Sequence, residues 1–187
     1  MRKGNLFVLS GPSGTGKGTL VKRVEKRIPD VWVSISATTR APRKGERDGV
    51  HYFFVDDETF DKMVEGDDLL EWAQVHDHRY GTPKSKILEH MAAGDQVILE
   101  IDVQGAFQVR NKIPEAILVF IEPPSMAELR CRLEGRGTES PQAIEKRMKT
   151  AEVELSRKME YDYQLVNDNL DVATDKLVSF INGKAEN

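Results

Sequence analysis

Disulfide chemistry is the first thing this sequence rules out. Cys131 is its one cysteine, so no bridge can close within the chain. The stapled class of small secreted domains is excluded and a reducing compartment is favoured. Long apolar runs are missing too. None approaches the roughly 20 residues that a membrane-spanning helix needs. The opening Met1-Arg2-Lys3-Gly4-Asn5 has no apolar signal segment and runs directly into the first expected strand. These absences predict a cytoplasmic protein. There is no surplus of positive charge either, since 27 Lys and Arg face 31 Asp and Glu for a formal net charge of −4. The global basic footprint of a nucleic-acid binder is therefore absent. His51, His76, His78 and His90 lack metal-ligand spacing and read as surface residues. No internal repeat, low-complexity tract or long linker is visible. What remains is an ordinary globular composition, 39% hydrophobic and 31% charged over 187 residues. That suffices for one good core and one or two small inserted lobes.

Against that background one stretch stands out, Gly11-Pro12-Ser13-Gly14-Thr15-Gly16-Lys17-Gly18-Thr19. It follows the apolar run Leu6-Phe7-Val8-Leu9 and leads into Leu20, Val21, Val24 and Ile28, which have helical spacing. Strand, glycine-rich turn and helix are the context of a phosphate-binding loop. The glycines let successive backbone N–H groups curl around a phosphate, and the helix start adds partial positive charge. Lys17 supplies a point charge for the terminal phosphates. One position departs from the usual pattern: the residue after the lysine is Gly18, where a Ser or Thr hydroxyl normally meets Mg²⁺. Thr19 or water then has to complete the metal shell.

The rest of the chain alternates. Val31 to Ile35 and His51 to Val55 read as strands, Asp56 to Glu65 as an amphipathic helix stopped by Gly66, and Leu69 to Val75 as a further strand. Tyr80-Gly81-Thr82 reads as an aromatic turn, and Pro83 opens a helix closed by Gly94. Gln96 to Asp102 is a nearly all-apolar strand ending in an acid, with Glu100 and Asp102 expected on one face. Ala116 to Ile121 is the next strand. Ser125 and Glu128 form a capping box, and Ser140-Pro141 starts a long helix with the stripe Ile144, Met148, Ala151, Leu155 and Met159. Cys131 falls off the Met126, Leu129, Leu133 stripe and reads as a bystander. A last strand, Tyr163 to Val166, precedes a closing helix. The alternation indicates an α/β fold with a parallel, doubly wound sheet. Residues 34–96, with their short strands, read as an inserted lobe.

Three further features carry candidate chemistry. Ser36 to Arg47 is hydroxyl-rich and strongly basic, which on its own describes a solvated loop. Glu71 lies in the strand Leu69 to Val75 and on its own reads as a half-buried strand acid. Arg132, Arg136 and Arg147 gather cationic charge near a Gly-flanked turn formed by Gly135 and Gly137.

Taken together these stretches resemble the guanylate kinases. The resemblance rests on Leu9 to Lys17, the run Ser36-Ala37-Thr38-Thr39-Arg40-Ala41-Pro42-Arg43, Leu70-Glu71-Trp72-Ala73, Tyr80-Gly81-Thr82, Ile101-Asp102-Val103-Gln104-Gly105, Arg132-Leu133-Glu134-Gly135-Arg136-Gly137 and Val166-Asn167-Asp168. It implies a P-loop NTPase fold. Residues 1–33, 97–124 and 153–187 form the nucleotide-binding core, 34–96 the GMP-binding lobe, and 125–152 a helical lid. It implies ATP-dependent phosphorylation of GMP, and of dGMP, with Mg²⁺ accompanying ATP. Gly11 through Thr19, Arg136 and Asn167 are then the ATP-binding residues, with Asn167 beside the adenine. Ser36, Arg40, Arg43, Tyr52, Glu71, Tyr80, Gly81, Thr82 and Asp102 are the GMP-binding residues. Lys17, Arg40, Arg136 and Arg147 carry the catalytic charge, and Thr19 and Asp102 are the metal candidates.

The implied roles make physical sense. Guanidinium forks and phenol donors suit a dianionic monophosphate. A carboxylate at Glu71 accepts the N1–H and 2-amino donors that guanine presents side by side. Adenine would leave it unpaired. The GMP phosphate oxygen is already anionic, so no general base is required. The protein has to align two anions, neutralise their repulsion and close over them. Two alternatives stand. Gly18-Thr19 after the lysine also occurs in adenylate kinases, although Glu71 and the Arg40–Arg43 run argue against that acceptor. Some guanylate-kinase-like domains are phosphopeptide-binding scaffolds, but those lack a working phosphate loop, and here Lys17 is present.

Overall fold

A computed structural model of the chain describes residues 2–186 except 76, 136, 138 and 139. In chain order these form β1 (Asn5–Ser10), α1 (Lys17–Arg27), β2 (Val31–Val33), β3 (Ala37–Thr38), β4 (Phe53–Phe54), α2 (Asp57–Glu65), β5 (Leu69–Val75) and β6 (His78–Pro83). Then come α3 (Lys84–Ala93), β7 (Gln96–Glu100), α4 (Val103–Lys112), β8 (Ile117–Glu122), α5 (Met126–Glu134), α6 (Pro141–Ser156), β9 (Tyr163–Val166) and α7 (Leu170–Ala185). The central sheet has the order β2-β7-β1-β8-β9 with every pairing parallel.

β1 lies in the middle of this sheet and is buried along its whole length. Its side chains alternate between two cores because strand residues face opposite ways in turn. Phe7 and Leu9 meet Leu20 and Val24 of α1 and Leu177 and Ile181 of α7. Leu6 and Val8 meet Ile87 of α3 and Val103 and Val109 of α4. Each such fully buried side chain contributes about 1.5–3 kcal/mol. The sheet thus fixes the point where the chain leaves β1, which is the start of the glycine-rich loop. Side-chain caps fix the helix starts: Asp56, Asp102, Ser125, Ser140 and Asn169 each accept a backbone N–H from the first turn that follows.

The inserted lobe has its own sheet, in the order β4-β3-β6-β5. Here the turn expected at Tyr80-Gly81-Thr82 is corrected, because these residues are the middle of β6, opposite Trp72 and Ala73 on one side and Ala37 and Thr38 on the other. The antiparallel pairing of β5 with β6 puts Val75 opposite His78, ahead of these residues. Gly81 signals close packing: a Cβ there would lie 2.8 Å from Leu69 Cδ1 and 3.1 Å from the Glu71 carbonyl oxygen.

Two other expectations change. β7 ends at Glu100, so Asp102 is the N-cap of α4 and shares no strand face with Glu100. Met159 lies beyond α6 in a single 3-10 turn and is 78% exposed, so it is no part of the apolar stripe. α3 packs on the central sheet through Ile87 and Met91, although it precedes residue 96. α6 runs unbroken through residues 152 and 153. Beneath the lobe, Asp67, at φ 52°, accepts from Lys84 at 2.9 Å and Lys112 at 2.5 Å. These two lysines hold its carboxyl down at about 2 and tie the lobe to α3 and α4.

Candidate active site

The loop between β1 and α1 is built for an anion. Gly11, at φ 140°, passes so close to β8 that a Cβ would lie 2.2 Å from the Ile121 carbonyl oxygen. Pro12 is buried beside it. Thr15 Oγ1 donates to the Pro12 carbonyl at 2.9 Å and holds the turn, while Ser13 stands exposed at its tip. Gly14 and Gly16 both have positive φ, and Gly16 starts α1 with no side-chain cap and no acid in the first turn. Neither a side-chain cap nor an acid competes at this helix start, and the helix dipole favours a negative ligand there. Lys17 Nζ lies over the loop, 2.5 Å from the Gly11 carbonyl oxygen and 3.0 Å from that of Pro12.

Asn167 holds this loop from behind. It is buried, its Nδ2 donates to the Thr15 carbonyl at 2.8 Å, and its own N–H donates to the Glu122 carbonyl at 2.8 Å. Arg132, expected with the lid cations, donates to the Asn167 carbonyl at 3.1 Å and to Glu128 at 2.9 Å. Removing the amide orphans a buried carbonyl, which costs about 1–3 kcal/mol. Asn167→Ala is therefore expected to lower unfolding stability by that amount in a denaturant titration and to weaken ATP affinity in calorimetry. Unchanged values in both measurements would show that the loop holds its shape without this bond.

The other residues expected in a lid divide. Arg147 Nη1 donates to Ser13 Oγ at 2.6 Å, which brings α6 onto the loop. Arg136 lies outside the described residues. Glu154, which sequence reasoning did not single out, lies further along α6. Partial burial raises its pKa, the positive charge of Lys17 lowers it, and Asp102 raises it. It therefore stands within electrostatic reach of both halves of the site.

Oxygen donors sit at the exit of the loop. Glu100, at the end of β7, has a carboxylate oxygen 3.3 Å from where a Gly18 Cβ would be. This carboxylate is open to solvent along the cleft. The surrounding protein still raises its pKa, with Lys17 and Lys22 pulling the other way. Thr19 is exposed one residue later. Asp102 has one oxygen committed, 2.8 Å from the Gly105 nitrogen, whose N–H it accepts.

The second half of the site is in the lobe. Arg40 donates to Glu46 at 2.9 Å and to the Ala41 carbonyl at 2.7 Å, and its guanidinium lies 5.4 Å from the Tyr52 ring centroid. The Tyr80 ring is edge-on to Tyr52 at 6.0 Å. Glu46 was missed because a lone acid in a basic run carries no spacing signal. It accepts the Arg43 N–H at 2.7 Å as well as the Arg40 guanidinium, and these bonds lower its pKa. Arg43 itself is exposed, and Ser36 is half-buried just before β3.

Deeper in the lobe, Glu71 is 8% exposed and accepts the Thr82 hydroxyl at 2.5 Å. Burial pushes its carboxyl up to about 7. The Thr82 bond opposes that shift, and the charge on Asp102 adds to it. A lobe that carries this buried acid beside a hydroxyl, and a guanidinium beside two phenols, has the groups to bind a ligand that presents paired N–H donors and an anion.

Comparison with known proteins agrees in extent as well as in motif. The protein-family model described as guanylate kinase matches residues 3–184. The guanylate kinase of Thermobifida fusca is 53% identical over 176 residues, 94% of this chain and 90% of that protein. That of Streptomyces coelicolor is 54% identical over 177 residues, 95% and 90% of the two chains. Among solved structures, the guanylate kinase from Anaplasma phagocytophilum superposes with a TM-score of 0.76 at 33% identity, covering 100% of this chain and 90% of that one. A gluconokinase from Sinorhizobium meliloti, at 17% identity and a TM-score of 0.51, shares the fold. A phosphate loop alone is shared by many NTPases. Similarity at this level across both the loop and the lobe places this chain in the guanylate kinase family.

Proposed function

We propose that the protein transfers the γ-phosphoryl group of ATP to GMP, and to dGMP, giving ADP and GDP or dGDP. The observation that carries this reading is the buried Glu71–Thr82 pair in a lobe that also gathers Arg40, Tyr52 and Tyr80. Glu71 accepts the guanine N1–H and 2-amino groups, with Thr82 and Ser36 completing base recognition and Gly81 keeping β6 close against it. Arg40 and Arg43 take the GMP phosphate together with Tyr52 and Tyr80, and that dianion displaces Glu46 from Arg40. Asp102 caps α4 between base and loop. ATP lies on residues 11–19, next to Asn167, under Arg136 and Arg147. A GMP phosphate oxygen attacks the γ-phosphorus, the bond to the β–γ bridging oxygen breaks, and ADP leaves with that oxygen. The chain's work is alignment and charge neutralisation by Lys17, Arg40, Arg136 and Arg147. Closure of the lobe and lid on the core excludes water, which would otherwise take the phosphoryl group.

Mg²⁺ fits this reading. It favours one or two oxygen ligands from protein alongside substrate phosphates and water. The Glu100 carboxylate beside Gly18, the exposed Thr19 hydroxyl and the second oxygen of Asp102 are such donors at the loop exit. Bound with ATP, the ion would neutralise charge developing on the β- and γ-phosphates.

A coupled assay across GMP, dGMP, AMP, CMP and UMP tests the acceptor. GMP and dGMP are expected to be used, and AMP to fall below GMP in kcat/KM by about 10³-fold or more. AMP turnover exceeding that of GMP would sink the assignment.

A further inference from the structure

Gly105, the third residue of α4, is buried, and its backbone does not require glycine, since its φ is not positive. What keeps a side chain away is a neighbour. A Cβ at this position would lie 3.1 Å from Glu71 Oε2, 3.3 Å from Glu71 Cδ and 3.3 Å from Ile101 Cδ1. The other carboxylate oxygen, Oε1, is held by the Thr82 hydroxyl at 2.5 Å. Glu71 therefore sits in a slot, with Thr82 on one side and the bare Cα of α4 on the other. The helix wall is fixed in turn by the Asp102 cap, which takes the Gly105 N–H at 2.8 Å.

We propose that Gly105 is a positioning residue for acceptor choice: by leaving this wall of α4 bare, it sets the depth at which both oxygens of Glu71 can meet the base. The inference rests on Glu71 as the reader of guanine. A bidentate pair needs both oxygens near 2.7–3.1 Å from their donors. A methyl at this position presses on one oxygen by a few tenths of an ångström, so the carboxylate turns about its Thr82 bond and one of the two contacts is lost. A purine with N1–H but no 2-amino group, as in inosine monophosphate, uses one contact and loses less.

The test measures wild type, Gly105→Ala and Glu71→Gln with GMP and with inosine monophosphate at saturating ATP. Gly105→Ala is expected to raise KM for GMP at least tenfold with kcat within threefold. The ratio of kcat/KM for GMP over inosine monophosphate should fall at least tenfold, with KM for ATP unchanged. A merely structural defect would lower both acceptors together, so an unchanged ratio overturns the proposal whether activity is kept or lost. Glu71→Gln separates the two readings. Loss of the ratio in Glu71→Gln but not in Gly105→Ala overturns the positioning role alone, and retention in both overturns Glu71 as the base reader. Alanine favours a helix over glycine, so the variant should fold. If it does not, Gly105→Ala combined with Ile101→Val removes the contact with Ile101 Cδ1 and leaves the one with Glu71, and the same outcomes decide.

Discussion

Replacing Lys17 by Met lowers kcat by about 10³-fold or more while leaving GMP binding close to that of wild type. The expectation follows from where the ammonium lies. It rests on the Gly11 and Pro12 carbonyls, at the mouth of a loop whose N–H groups and helix dipole already favour an anion. Those backbone groups remain in the variant, so ATP still docks, with a smaller loss in affinity than in rate. What disappears is a mobile positive charge that can follow the γ-phosphoryl group as it moves between oxygens. Methionine keeps the length and apolar stem of lysine, so the effect reports charge. Steady-state kinetics with both substrates saturating, beside calorimetry for ATP and for GMP, separates the two quantities. A kcat within tenfold of wild type would show that Arg147 and the backbone suffice without Lys17.

The loop was legible in the sequence because its function demands a local pattern. Strand, glycines, lysine and helix are contiguous, and the structure places them as read, down to the burial of Leu20, Val21 and Val24. The helix starts were equally legible at Asp56, Ser125 and Ser140, since a cap and its target N–H are neighbours in sequence. The proposed acceptor site is different. Glu71, Thr82 and Gly105 come from β5, β6 and α4, and their meeting depends on a hairpin register and on helix packing that no local pattern encodes. Tyr80-Gly81-Thr82 looked like a turn because glycine next to an aromatic and Pro83 is ordinary turn chemistry. Only the pairing partners show that Gly81 serves close packing. Glu46 and Glu154 were invisible for the same reason, one hidden in a basic run and the other in a charged helix face. Asp102 was placed on a strand because apolar residues continue to Ile101. The capping bond to Gly105 ends the strand earlier.

Glu71→Gln is expected to lower kcat/KM for GMP by about 10³-fold, and its pH profile gives the sharper result. In the protein the Glu71 carboxyl titrates at about 7, because burial and the charge of Asp102 outweigh the Thr82 bond. Guanine offers two donors and so needs the ionised form. Below pH 7, kcat/KM for GMP should fall about tenfold per unit from the wild-type plateau. A nucleoside monophosphate has its own titration near 6, and the glutamine variant isolates it, since only that lower step remains. Superimposable wild-type and variant profiles would remove Glu71 from the base contact. Stability should move in the opposite direction. A carboxyl whose folded value lies above its ordinary 4.5 favours the fold while protonated, and that contribution is lost as pH rises from about 4.5 through about 7. At pH 8 the buried charge costs the wild type at most about 3 kcal/mol, a cost that glutamine does not carry. Glu71→Gln should therefore unfold at higher denaturant than wild type at pH 8, with the gain shrinking toward pH 5. A gain in stability coupled to a loss of GMP turnover is what a base-reading carboxylate predicts, because the desolvation that strains the free protein is relieved when guanine supplies its two donors.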